Sequence, residues 1–62
     1  MELTDVEVLE AMDHYGGAFM RALAEAARRA DPWNLAKVKA TWAEEWAEYA
    51  VLAQLHKEGS RG

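Results

Sequence analysis

Pro32, the only proline among 62 residues, stands almost at the midpoint of the chain and is preceded by Asp31. The residue before a proline is pushed out of the α region, so a helix arriving from the N-terminal side must end by Ala30 or Asp31. Asp31 can then cap a second helix whose first position is Pro32, where the missing N–H costs nothing. A connection this tight makes the two helices antiparallel neighbours.

Each half carries helical periodicity. Thr4 followed three residues later by Glu7 is a capping box, with Asp5 favourable at a helix N-terminus. Leu9, Met12, Gly16, Phe19, Leu23, Ala26 and Ala30 then recur at alternating spacings of three and four. Two readings compete at Gly16-Gly17. Each glycine costs about 1 kcal/mol inside a helix, so the pair can break the chain into two shorter helices. The stripe nevertheless stays in phase from Met12 through Gly16 to Phe19, which favours one continuous helix with a kink allowed at the pair. In the second half Leu35, Val38, Trp42, Trp46, Tyr49 and Ala53 fall in one angular sector, flanked by Leu52 and His56. Ala36, Ala40, Ala43, Ala47 and Ala50 form another stripe, with Trp33, Val51 and Leu55 on or near that side. Small residues in such phase let a second helix approach closely.

A chain of this size buries only about 60% of the surface it exposes when unfolded. The usual remedies are disulfides, a metal or association. There is no cysteine, and His14 and His56 lie too far apart in sequence for a zinc motif. Association remains. Three tryptophans and a 52% hydrophobic composition exclude a disordered chain, and no run of about 20 apolar residues suits a membrane span. The start Met1-Glu2-Leu3-Thr4-Asp5 has neither basic nor apolar leader character, which predicts a cytoplasmic protein.

The expected fold is therefore all-α. It is a two-helix antiparallel hairpin, with helices over about residues 5–30 and 32–57 and a frayed tail over 58–62, dimerising into a four-helix bundle. The apolar surface that one hairpin cannot cover predicts a homodimer interface of Phe19, Met20, Leu23, Leu35, Val38, Trp42, Trp46, Tyr49 and Leu52. Which apolar face of the second helix lies within the chain and which lies between chains stays open. Residues 1–20 hold five carboxylates and no Lys or Arg, whereas residues 21–39 hold Arg21, Arg28, Arg29, Lys37 and Lys39. In a hairpin the basic segment sits at the turn. Two copies packed end over end would set each basic turn beside the other's acidic opening.

No residue pattern calls for catalysis, a cofactor or a metal. Glu10 and His14 read as a surface pair one turn apart, since a bundle metal site would want Glu-x-x-His with further glutamates. His56 reads as a partner for a helix C-terminus. Glu44, Glu45 and Glu48 read as a solvated face, and the only serine, Ser60, has no histidine set around it. Trp42-x-x-x-Trp46-x-x-Tyr49 could stack bases or grip a peptide, but helical spacing favours a core role. A net charge of −4 argues against nucleic-acid binding. A helix-turn-helix would need a shorter, more basic second helix than Pro32-Trp33-Asn34-Leu35 introduces.

The run Asp5-Val6-Glu7-Val8-Leu9-Glu10-Ala11-Met12, the step Tyr15-Gly16-Gly17-Ala18-Phe19 and the segment from Ala30 through Trp42 resemble small phage- and prophage-encoded helical proteins. The resemblance implies a mobile-element origin and no site. Two function classes follow. One is a non-enzymatic, self-associating interaction protein, such as a phage accessory factor that binds another protein. The other is an acidic inhibitor whose carboxylates, from Glu2 to Asp13 and Glu44 to Glu48, mimic phosphates on a basic target surface.

Overall fold

The computed structural model describes residues 3–59, and they are helical throughout apart from short connections. The described residues form four helices: α1 (Asp5–Tyr15), α2 (Ala18–Arg28), α3 (Pro32–Thr41) and α4 (Ala43–Gly59). Helix α1 lies against both α2 and α4, while α3 links the far end of α2 to α4. None of the helices among the described residues is long and apolar enough to cross a membrane.

The local signals at the ends of α1 and α3 act as their chemistry requires. Thr4 Oγ1 accepts from the Glu7 N–H at 3.2 Å, and Glu7 Oε1 accepts from the Thr4 N–H at 2.9 Å, closing both halves of the capping box. Asp31 Oδ1 accepts from the Asn34 N–H at 2.8 Å with Pro32 in the first turn.

Both long helices expected from the periodicity are interrupted. The first breaks at Gly16-Gly17, whose backbones are extended (ψ of 159° and −169°), so the two glycines escape their helical penalty and form a corner. The corner shifts the buried stripe by one residue. Leu9 and Met12 are buried from α1, but α2 turns Ala24 and Ala27 inward with Met20 and Leu23 beside them, leaving Phe19 and Ala26 exposed. The second break is at Trp42, where φ −110° and ψ 38° depart from helical values with neither glycine nor proline nearby. Hydrogen bonds from the Trp42 N–H to the Val38 carbonyl (2.9 Å) and from the Trp46 N–H to the Trp42 carbonyl (2.8 Å) keep the two pieces joined. The bend accompanies an edge-on contact of the Trp42 ring with Phe19 of α2, their centroids 5.2 Å apart. At the C-terminal end α4 continues through Glu58 and Gly59. The rest of the expected tail, residues 60–62, lies outside the described residues.

The core is small. Val8, Leu9 and Met12 are its only large, fully buried side chains among the described residues, with Ala11, Ala24, Ala27 and Ala53 filling the closest approaches. Four ion pairs among the described residues decorate it. Lys39 reaches Asp5 and Lys57 reaches Glu7, each at 3.0 Å; Arg28 meets Asp13; and Arg29 meets Glu25 at 2.8 Å within α2. Three carboxylates of the acidic N-terminal segment, Asp5, Glu7 and Asp13, are thus paired with cations of their own chain.

Glu7 is a group through which pH reaches this fold. Its carboxyl is held below the ordinary value, first by the Thr4 backbone N–H and then by Lys57. A depressed folded value means that the stabilisation is complete above the unfolded value of about 4.3. It is lost as pH falls through the lower, folded value. The urea midpoint of the wild type should therefore fall as pH drops below about 4.3, and Glu7→Gln, which keeps the cap, should flatten that decline. Identical acid profiles for the two proteins would refute the assignment.

Candidate interaction surfaces

The residues expected to meet another chain divide into two groups. Met20, Leu23, Leu35, Val38, Trp46 and Tyr49 all lean on the buried cluster within their own chain, and Leu52 is half-buried. Trp46 is further fixed by Lys39, whose ammonium stands 5.4 Å from its ring centre while also binding Asp5. Phe19 and Trp42 have a different setting. Phe19 is 57% exposed, and Trp42 is half-buried beside it.

Trp42 also lines an open trough between α2 and α3, about 370 Å³ in volume. Ala26 of α2 and Ala30 of the following connection line one side, and Asn34, Lys37, Val38 and Thr41 of α3 line the other. The alanines keep the floor shallow enough for a side chain or helix edge to enter. Asn34 and Thr41 offer neutral polar atoms at the rim. Nearby on α3, Trp33 is 81% exposed, the most exposed large apolar side chain among the described residues. Its position directly after Pro32, in the first turn of α3, holds it outside the core. The periodicity places Trp33 off the main stripe, but only the break at Trp42 and the fold of α2 reveal how far out it stands.

The faces of the second half of the chain are now distinguishable. The sector of Leu35, Val38, Trp46 and Tyr49 turns inward. Ala36, Ala40, Ala43 and Ala47 are exposed, together with Val51 and Leu55, while Ala50 leans on the core. Glu44 and Glu48 are exposed beside this outer face, and Glu45 is half-buried.

A second concavity, about 380 Å³, lies between α1 and α4 and is lined by Glu7, Glu10, His14, Tyr15, His56 and Lys57 over Ala11 and Ala53. His56 Nδ1 is 3.3 Å from the Tyr15 hydroxyl, and its ring centre is 5.6 Å from that of His14. His14 also meets Tyr15 edge-on at 4.5 Å. The two histidines, distant in sequence, are therefore neighbours, which the spacing of either helix alone could not reveal. Glu10 lines the same cleft, yet no group of three or more His, Asp or Glu among the described residues is arranged to hold a metal ion. No polar or charged side chain among the described residues is buried.

A search of family models, of curated proteins and of solved structures finds no match to this chain.

Proposed function

We propose that this chain is a non-enzymatic interaction protein that self-associates through the trough between α2 and α3, with the Phe19–Trp42 pair and Trp33 as its anchors. The observation that carries this reading is the mismatch between core and surface. Three large side chains among the described residues are buried, while Phe19 and Trp33 are 57% and 81% exposed. Each large apolar side chain withdrawn from water contributes about 1.5–3 kcal/mol, so covering two aromatics and the trough floor is worth as much as a substantial part of the core.

A homodimer is the simplest assembly, because a two-fold axis satisfies the same patch on both copies. Two copies joined in this way bring together four bent helical arms, α1–α2 and α3–α4 from each. That is the form a four-helix bundle takes when its long helices are broken at Gly16-Gly17 and Trp42. A cytoplasmic accessory role, of the kind implied by the resemblance to phage-encoded helical proteins, accords with a molecule built to associate.

The acidic-mimic alternative has less to draw on. Asp5, Glu7 and Asp13 are already paired with Lys39, Lys57 and Arg28, and Glu2 lies outside the described residues.

Solution mass across a dilution series tests the reading. The wild type should be dimeric at micromolar concentration and dissociate on dilution, with Phe19→Glu shifting the midpoint to at least about tenfold higher concentration, a loss of about 1.4 kcal/mol. A wild type that stays monomeric and folded at every concentration would overturn it.

A further inference from the structure

The outward face of α4 is not used by the trough. Ala43, Ala47, Val51 and Leu55 follow one another at four-residue spacing and form a ridge along the helix. All four are exposed, Val51 by 59% and Leu55 by 58%. The thirteen residues from Ala43 to Leu55 span about 18 Å, a little over three turns. The ridge is small at one end and branched at the other, so a partner's bulky side chains can sit low over the alanines while Val51 and Leu55 enter its grooves.

The charged residues of α4 closest to the ridge are carboxylates. Glu44 and Glu48 flank it on one side, and Glu58 stands at its C-terminal end, where Oε2 accepts from Gln54 at 2.9 Å. The nearest cation on α4, Lys57, belongs to the other side of the helix, where it binds Glu7. An apolar ridge edged by carboxylates disfavours a second copy of itself, since symmetry would bring Glu44 and Glu48 toward their own counterparts. It equally disfavours nucleic acid and anionic membrane, which share its charge. It suits a helix whose apolar stripe is bordered by Lys or Arg, where a dry seam forms under a complementary rim.

We propose that the outward ridge of α4 docks a basic amphipathic helix supplied by another protein. This site is separate from the self-association surface, so the two can fail independently.

The probe is a fluorescent synthetic peptide of about 18 residues, long enough to cover the ridge, with leucines at helical spacing bordered by lysines. Its control replaces every lysine by glutamate. Anisotropy should show binding of the leucine–lysine peptide and none of the control. Val51→Asp should weaken binding at least about tenfold by placing a carboxylate in the seam. Glu48→Lys should weaken it about fivefold, whereas Glu25→Lys, an equal change of net charge on α2, should change it less than about twofold. All variants should keep the wild-type helical signal and solution mass. Equal losses for Glu48→Lys and Glu25→Lys would reduce the effect to general attraction and overturn the proposal, as would an unaltered affinity in Val51→Asp. A drop in the mass of unmixed Val51→Asp would instead make the ridge a contact between copies of this chain.

Discussion

Gly16→Ala is expected to loosen the tertiary fold severely while leaving helix content unchanged or higher. A methyl group at Gly16 would collide with the Met12 carbonyl oxygen and stand 2.6 Å from Met20 Cβ, with the Tyr49 hydroxyl at 3.3 Å. The tyrosine can swing aside, but a backbone carbonyl and a Cβ move only with their helices, so the corner between α1 and α2 must open. Overpacking of this kind costs about 1–3 kcal/mol, against a gain of about 0.4–1 kcal/mol from restricting the unfolded chain. Backbone strain is not the cause, because φ at Gly16 is −82° and open to any residue.

Next door, Gly17 has open space around its Cα and caps α2 without a side-chain hydrogen bond. Gly17→Ser should therefore stabilise the protein by about 0.5–1 kcal/mol through a cap and a stiffer unfolded chain. Urea unfolding followed by tryptophan fluorescence and far-UV circular dichroism separates the cases. Equal stability of the two alanine variants, Gly16→Ala and Gly17→Ala, would show that the corner is not tightly closed.

The contrast between the two glycines marks the limit of what the sequence discloses. The ends of the two halves were legible because caps are local: Thr4 with Glu7 and Asp31 with Pro32 need only their own neighbours. The all-helical class was legible because periodicity survives in short pieces. The breaks were not. A stripe that runs through Gly16 in phase looks continuous, and only tertiary contact shows that α2 presents Met20, Ala24 and Ala27 where periodicity alone points to Phe19 and Ala26. At Trp42 no residue type signals a bend. The same limitation governs the surfaces. Two apolar stripes on the second half were plain, but which one turned inward depended on where α1 lay, and α1 could fold between α2 and α4 only because the glycine corner freed it. The exposure of Phe19 and the meeting of His14 with His56 both follow from that corner.

The largest loss expected from any single side chain is at Met12, which is 1% exposed and the most completely buried large residue among those described. Met12→Ala should cost about 2–5 kcal/mol through lost transfer energy and the cavity left behind. A chain of 62 residues holds in total only about 3–9 kcal/mol, so the variant should be largely unfolded when dilute. Met12 touches no proposed interface, yet its effect should depend on concentration. If folded copies associate and unfolded ones do not, mass action adds stability as the protein is concentrated. Each tenfold rise in concentration then adds about 1.4 kcal/mol per dimer, offsetting about 0.7 kcal/mol of the loss in each chain. The helical signal of Met12→Ala should recover in the concentrated protein, and adding Phe19→Glu should abolish that recovery without touching the core. A Met12→Ala signal independent of concentration would separate folding from association, and the small core would then have to stand alone.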